Sequence, residues 1–209
     1  KKVLIAASLC EQAHEIRKHA ADRLAELMKA QLAELNFLDV EFEIAVQRTE
    51  EPGADGADDV EFLISTNPGE SLKPLGRIAS GGELSRVMLA IKTVLADQDA
   101  IETVIFDEID TGISGRTAQK VSEKLALIGR SRQVICITHL AQLASMADSH
   151  YCIEKRAVDG STQTGIRLLD EQESVEELAR ILGGAQITDA VIDNAREMKK
   201  LAQKFKAHR

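Results

Sequence analysis

The chain has 209 residues, the size of one domain of ordinary length, and its formal net charge is −8 at pH 7. This acidic balance excludes a globally basic nucleic-acid coat, although it is compatible with a local basic patch. Hydrophobic residues make up 44% of the chain and aromatic residues only 3%, so we expect a core of aliphatic side chains.

The cysteines and the short apolar runs indicate in which cellular compartment the protein is expected. Cys10, Cys136 and Cys152 form neither a CxxC pair nor a plausible disulfide framework. This use of cysteine is typical of a reducing compartment, and we expect a cytoplasmic protein. No apolar run approaches the ~18 residues of a membrane span, so no membrane partner is predicted. The chain begins with Lys1 rather than Met, and we expect it to be a piece of a longer protein.

The first predicted element is a helix over residues 9–35. Apolar residues recur on one stripe of this helix with charged residues between them: Ala13, Ile16, Ala20, Leu24, Leu27 and Leu35. The spacing resembles a coiled-coil seam. A surface helix packed on the domain would show the same pattern over so short a window, so both interpretations stay open.

Two strands with alternating hydrophobicity are predicted next, at 40–47 and 60–66. The segment 50–59 between them is acidic and rich in turn formers, and it predicts an exposed hairpin loop joining the two strands. A further turn at 67–70 leads towards a glycine pair, which stands directly before an amphipathic helix.

The segment Ser80-Gly81-Gly82-Glu83 has two interpretations. Ser-x-x-Glu before an apolar run is a capping box, in which the serine and the glutamate each satisfy a free backbone N–H. Capping requires neither glycine, however, and glycines let a backbone approach a ligand and direct its N–H groups outward. With the positive end of the helix behind it, the segment predicts an anion site.

A short apolar strand at 103–106 leads into Asp107 and Glu108. An acidic strand end can simply cap a neighbouring helix. In the functional interpretation, Asp107 holds Mg²⁺ directly or through water, and Glu108 orients and deprotonates an attacking water, a role typically contributing ~10²–10⁴-fold. The small and polar loop that follows suits a close contact with a partner: Asp110, Thr111, Gly112, Ile113 and Ser114.

A second apolar strand is predicted at 133–138, and it leads to His139. A histidine at this place is compatible with a structural role, but it can also contact a γ-phosphate and sense its presence. In open parallel sheets, ligand-binding groups gather beyond the carboxyl ends of the strands. We therefore expect Asp107, Glu108 and His139 at one edge of a sheet.

The remaining elements continue the same pattern. They are a helix over 115–128 with Ser114 as its N-cap, a short helix near 142–147, paired strands at 151–155 and 166–169, a helix that begins at the capping box Ser174-x-x-Glu177, and a final basic helix over 189–209. Short apolar strands alternating with helices indicate an α/β fold with a parallel sheet covered on both faces.

The order and spacing of these segments are specific. The chain resembles the C-terminal half of an ABC-type ATPase head, with a signature motif at 80–83, a Walker B strand ending at Asp107, a D-loop at 110–114 and His139 as the switch histidine. The phrases at 67–75, 79–86 and 108–115 are similar to those of the RecN family, SMC-like bacterial ATPases of DNA double-strand break repair. The resemblance covers nearly the whole chain.

The resemblance implies a head domain assembled from both ends of one polypeptide, which a long antiparallel coiled coil joins. Residues 1–38 would be the end of the coiled-coil arm, and 39–209 the C-terminal part of the head, a P-loop NTPase-like parallel sheet. The Walker A loop, Gly-x-x-x-x-Gly-Lys-Ser/Thr, does not occur in this chain and is expected in the N-terminal half of the same protein. We therefore expect this chain alone to bind ATP weakly and to be inactive as an ATPase.

The resemblance also implies that two heads dimerise and enclose ATP and Mg²⁺. The signature residues Ser80, Gly81, Gly82 and Glu83 would contact the nucleotide of the opposite head. Asp107, Glu108 and His139 would serve the nucleotide of their own head. Ser114 replaces the aspartate that usually ends the D-loop, which is a departure from the wider ABC pattern.

DNA is expected as a partner through non-specific phosphate contacts, and the resemblance implies association with the nucleoid after DNA damage. The candidate basic residues are Arg130, Arg132, Lys199, Lys200, Lys204, Lys206 and Arg209. Two alternative functions stay open. One is the nucleotide-binding subunit of an ABC transporter, and the other is a catalytically silent interaction module that completes another ATPase.

Overall fold

The computed structural model describes residues 2–37, 39–95, 100–158, 161–184 and 186–208. The chain forms two compact units, Lys1–Ala100 and Ile101–Arg209. The predicted division into a coiled-coil arm at 1–38 and a head at 39–209 does not coincide with these two units and stays a prediction. Within the described ranges, no helix is both long enough and apolar enough to cross a membrane.

The first unit combines two helices with an antiparallel sheet. Its elements are helix α1 (Lys2–Glu34), strands β1 (Glu41–Gly53), β2 (Gly56–Ser65) and β3 (Lys73–Pro74), and helix α2 (Gly81–Val94). The strands pair in the order β1-β2-β3, so β1 lies at an edge of the sheet. Helix α1 packs on β1, β2 and α2, and its Met28 and Leu32 are fully buried there.

Helix α1 has different surroundings in its two halves. Its C-terminal half is packed on the unit, as the interpretation of a docked surface helix predicts. Its N-terminal half instead exposes Leu4, Leu9 and Ile16, each more than half accessible. Exposed apolar side chains of this kind are compatible with pairing to another helix, but His14 and Arg17 of the same half contact the sheet, so both interpretations stay open.

The predicted hairpin is confirmed, since β1 and β2 pair antiparallel, but the loop predicted at 50–59 is too long. Strand β1 continues to Gly53 and β2 begins at Gly56, so only Ala54 and Asp55 remain as the turn. The register shifts between Arg48 and Gly53, which accommodates the turn-forming residues within the strand. An edge strand tolerates these residues because its outer backbone groups are not needed for the ladder.

The second unit contains strands β4 (Thr103–Phe106), β5 (Gln133–Cys136), β6 (Tyr151–Val158) and β7 (Ser161–Leu168), and helices α3 (Gly115–Ile128), α4 (Ala141–Ser145), α5 (Glu171–Gly183) and α6 (Asp189–Ala207). Strands β4 and β5 pair in parallel, as the sequence predicted, and β6 and β7 form an antiparallel pair. Helices α4, α5 and α6 pack together around Leu178, Ala179 and Ala195, which are fully buried.

Helix α3 has the predicted bounds, Gly115–Ile128. Ser114 occupies the N-cap position with extended backbone, but its side chain makes no capping hydrogen bond. The predicted cap residue is therefore correct in position and does not act through its hydroxyl.

The predicted capping box at Ser174 and Glu177 is wrong. Helix α5 begins at Glu171, and Asp170 and Glu173 form the capping box three residues earlier. Both boxes satisfy the same spacing rule, and Asp and Ser are comparable N-cap residues. Ser174 lies inside the helix, where it is buried and its Oγ lies 2.8 Å from Nδ1 of His150.

Candidate functional site

The glycine pair lies at the start of α2, as predicted. Ser80 is the N-cap, with extended backbone, and its Oγ accepts a hydrogen bond from the backbone N–H of Glu83 at 3.4 Å. Gly81 is exposed and Gly82 is buried. The serine therefore caps the helix here, and the exposed glycine leaves the positive end of α2 accessible to an anion.

Helix α2 is anchored to the first unit by a buried face. Val87, Leu89 and Ala90 are fully buried. Arg86 is also buried, and its guanidinium carbon lies 5.5 Å from the centroid of the Phe37 ring, just after α1. Burial lowers the pKa of Arg86, and the nearby Glu83 carboxylate opposes that shift. The orientation of α2 is thus fixed by the packing of Arg86 against Phe37, next to the end of α1.

In the second unit, Asp107 and Glu108 directly follow β4, and both residues are exposed. Asp107 Oδ1 accepts a hydrogen bond from the backbone N–H of Glu108 at 2.9 Å. The backbone of Glu108 has φ = 56°, in the left-handed region that non-glycine residues rarely adopt. Such strained backbone clusters at functional sites, and sequence reasoning gave no signal for it.

Asp110 follows two residues later and is buried, with 3% of its side chain exposed. Its Oδ2 accepts hydrogen bonds from the Thr138 hydroxyl at 2.6 Å and from the backbone N–H of His139 at 2.8 Å. The same oxygen lies 3.0 Å from Nδ1 of His139. The loop after β4 and the loop after β5 are therefore joined through one carboxylate.

Thr138 is a functional candidate that sequence reasoning missed. Its hydroxyl donates to Asp110 and accepts from the backbone N–H of Leu140 at 3.0 Å. It therefore links the acidic loop to the turn that leads into α4. A hydroxyl residue directly before a histidine at a strand end was the available signal.

Cys136, the last residue of β5, has a thiol whose pKa is affected by burial and by two nearby carboxylates. Burial, assisted by the carboxylates of Asp110 and Asp107, raises the pKa of the Cys136 thiol to about 12. Cys136 is therefore a neutral thiol at physiological pH, as expected of a cysteine used as a small hydrophobic residue.

The remaining D-loop residues lie at the surface. Thr111, Gly112 and Ser114 are exposed and Ile113 is half-buried. The backbone N–H of Thr111 donates to the carbonyl of Glu108 at 3.0 Å, which forms a tight turn. This exposure leaves the loop accessible to a partner, as the resemblance implies.

The side chains that could bind the predicted Mg²⁺ are few. Within the described residues, no group of three or more His, Cys, Asp and Glu side chains is arranged to hold a metal ion. Mg²⁺ commonly uses one or two carboxylates together with water and substrate phosphates. The exposed carboxylate of Asp107 fits one such ligand, and the nucleotide would have to supply others.

The predicted site residues fall into two groups. Asp107, Glu108, Asp110 and His139 lie at the carboxyl ends of the adjacent parallel strands β4 and β5 in the second unit. The signature segment 80–83 lies in the first unit. A separate groove of about 760 Å³ in the first unit lies between α1 and β1 and is lined by none of these residues.

Comparison with curated proteins finds close relatives. The chain is 45% identical over 197 residues to the DNA repair protein RecN of Halalkalibacterium halodurans, covering 92% of this chain and 35% of that protein. It is 43% identical over 204 residues to the DNA repair protein RecN of Bacillus subtilis, covering 90% of this chain and 35% of that protein. The chain thus spans about a third of the length of these relatives. No protein-family model matches it.

Comparison with solved structures shows the fold. The Smc head domain with a coiled coil and joint from Pyrococcus yayanosii has a TM-score of 0.54 and 22% identity, covering 78% of this chain and 29% of that one. The Smc head domain with an extended coiled coil from Pyrococcus furiosus has a TM-score of 0.50 and 20% identity, covering 80% of this chain and 38% of that one. The chain has the α/β fold of SMC ATPase head domains.

Proposed function

This chain belongs to the RecN family, and from that premise we propose that it is the C-terminal part of an SMC-like ATPase head. The assembled head would hydrolyse ATP between two dimerised copies and act in DNA double-strand break repair and recombination. The relatives are DNA repair proteins, which favours this function over an ABC transporter subunit.

The observation that carries the proposal is the arrangement after β4 and β5. Asp107 and Glu108 follow one strand and His139 follows its parallel neighbour, so all three side chains lie at the edge where such sheets bind ligands. In this proposal Asp107 would hold Mg²⁺, an ion that would supply positive charge to the phosphates. Glu108 orients and deprotonates water, and His139 contacts the γ-phosphate.

The chain alone lacks the phosphate-binding loop, so we infer that it needs the N-terminal half of its own protein. Its bare sheet faces support this inference. Ile105 and Ile135 are register partners on β4 and β5, and their side chains are 65% and 44% exposed. Parallel sheets are normally covered on both faces, and two strands are too few to be stable alone.

The hairpin β6–β7 has a second bare face. Tyr151 pairs with Leu168 and Ile153 with Ile166, so these four side chains share one face, and each is more than half exposed. An exposed apolar face of this kind marks an interaction site. We assign it to the N-terminal half, because the matched relatives are nearly three times as long as the shared segment.

DNA contact rests on the family relationship more than on the residues. Lys206 donates to Asp148 at 2.6 Å, and Arg130 donates to the carbonyl of Lys206 at 3.1 Å. These groups are partly engaged within the unit, and Arg209 lies outside the described residues. Any DNA contact made by the basic face of α6 should be to phosphates and should weaken as salt rises.

ATP hydrolysis by reassembled halves tests the proposal. We expect no turnover by this chain alone, turnover when the N-terminal half is added, and a loss of about 10²-fold or more with Glu108→Gln in the mixture. Glu102→Gln is the matched control, since Glu102 is exposed and precedes β4. Turnover by the purified chain would overturn the inactivity of this half. Absence of turnover in every mixture would favour a catalytically silent module.

A further inference from the structure

Asp110 is predicted to belong to a loop that faces a partner, yet its carboxylate is directed into its own unit. Only 3% of the side chain is exposed, whereas 72% of the His139 side chain is exposed. A buried carboxylate is costly unless hydrogen bonds and charges compensate it. The compensation here comes from the residues that immediately follow β5.

The contacts of Asp110 restrain His139 at two places. The backbone N–H of His139 donates to Oδ2 of Asp110 at 2.8 Å, and Nδ1 of the imidazole lies 3.0 Å from the same oxygen. The Thr138 hydroxyl holds that oxygen from a third direction, at 2.6 Å. Both the backbone and the ring of His139 therefore lie against the same oxygen of the Asp110 carboxylate.

This arrangement determines which ring nitrogen is available for ligands. The negative charge of Asp110 Oδ2, 3.0 Å from Nδ1, favours a proton on that nitrogen, and a proton on one nitrogen of a neutral ring leaves the other without one. Nε2 is then the nitrogen left for an external group, and the exposure of the ring leaves it accessible. In the neutral ring Nε2 then carries a lone pair and cannot donate, so the contact with a phosphate oxygen is made by the imidazolium, whose Nε2–H donates to the phosphate while Nδ1–H faces Asp110.

We propose that Asp110 is the positioning residue of His139, and that it fixes the ring so that Nε2 is presented to the γ-phosphate of a bound nucleotide. The inference rests on the proposed ATPase function for its phosphate ligand. The placement of the ring itself needs no nucleotide and can be measured separately. Asp110 acts through His139 and does not itself contact the substrate.

The first test measures the ring in the 209-residue chain without nucleotide. The chain is labelled with ¹⁵N-histidine, and the signals of His139 among the five histidines are assigned by their disappearance in His139→Gln. We expect neutral His139 to carry its proton on Nδ1, and to lose this preference in Asp110→Asn. A neutral His139 protonated on Nε2 in the unsubstituted chain would overturn the proposal, whatever the fate of the variant.

The second test uses turnover in the mixture with the N-terminal half. We expect Asp110→Asn to lower kcat on the order of 10-fold, the lower end of the range seen when the hydrogen-bond partners of metal-bound histidines are removed, with KM for ATP nearly unchanged. In a His139→Gln background, the same substitution should have little further effect. Equal decreases in both backgrounds would show that Asp110 acts independently of His139.

Two variants separate positioning from loss of fold. Thr138→Val removes the hydroxyl that holds Asp110 and should lower kcat as Asp110→Asn does. Asp193→Asn is the matched control for the charge change, because Asp193 is exposed on α6 and pairs with Arg196. If the ring carries its proton on Nδ1 but no mixture hydrolyses ATP, the proposed function fails while the placement of His139 stands.

Discussion

The guanidinium carbon of Arg86 lies 5.5 Å from the centroid of the Phe37 ring, and both residues are buried in the first unit. Arg86 belongs to the second turn of α2, and Phe37 follows the end of α1. A desolvated cation over an aromatic face is attracted by the ring more strongly than an exposed one. The helix that begins with residues 80–83 is thereby joined to the helix predicted to be the end of the coiled-coil arm.

Replacement of Arg86 by lysine should destabilise the first unit. The lysine keeps the charge but loses the planar group that stacks on Phe37, and we expect a decrease of about 1–2 kcal/mol in the free energy of unfolding. Urea unfolding of the chain measures it. Arg77→Lys is the control, because Arg77 is exposed. Equal stability of the two variants would show that the stacking contributes nothing.

A second link joins α1 to the sheet and should depend on pH. Hydrogen bonds from His14 at 2.6 Å and Arg17 at 2.8 Å lower the pKa of Asp58, with the His14 bond the larger cause. A lowered carboxyl pKa contributes stability at pH values above the ordinary 3.8, and this contribution disappears as the pH falls through the lower value of the folded chain.

Asp58→Asn should therefore lower the urea midpoint at neutral pH. The difference from the unsubstituted chain should shrink as the pH falls below 3.8, because the native carboxyl group then becomes protonated. Asp59→Asn is a close control, since Asp59 is the next residue and is exposed. A difference that stays constant across the acid range would exclude titration of Asp58 as the cause.

The backbone of Glu108 gives a prediction that is independent of its carboxylate. Left-handed backbone disfavours side chains branched at Cβ, so Glu108→Val should be less stable than the unsubstituted chain by about 1–2 kcal/mol. Glu108→Gly should be at least as stable as the native chain and yet inactive in the assembled head. Thermal unfolding compares them, with Glu102→Val as the control. If valine is tolerated equally at both positions, Glu108 is not strained.

Local signals predicted much of the second unit. The bounds of α3 were correct because its apolar periodicity, the N-cap position of Ser114 and the stop at Gly129 agree with one another. The acid pair and His139 could be placed at strand ends because short apolar runs preceded both. The capping box was misplaced because Asp170 and Ser174 both fit the pattern, and only the contact of Ser174 with His150 distinguishes them.

The parts that could not be predicted depend on contacts between distant residues. Asp110 and Thr138 are 28 positions apart, and nothing in either loop indicates that the carboxylate turns inward to meet the hydroxyl. The segment 50–59 was predicted as the loop of the hairpin because its composition is that of a turn. Contacts of α1 with Asp58, made from His14 and Arg17, stabilise it as paired strands.

The bare face of β6–β7 allows a test of the proposed partner. Ile166 is 70% exposed, so Ile166→Lys should leave the stability of the isolated chain nearly unchanged. If the N-terminal half covers this face, the lysine must either be buried beneath it or hold the two surfaces apart. Burial of one such apolar side chain is worth about 1.5–3 kcal/mol, so the dissociation constant of the two halves should rise on the order of 10–100-fold.

Titration calorimetry of the two halves measures this change. Leu201→Lys on α6 is the matched control, because Leu201 is also exposed, at 59%, and lies outside the hairpin. We expect the control to bind the N-terminal half as the native chain does. Equal dissociation constants for both lysine variants would mean that the N-terminal half does not cover the hairpin. The apolar face of β6–β7 would then have to pack against another surface, such as a second copy of the head.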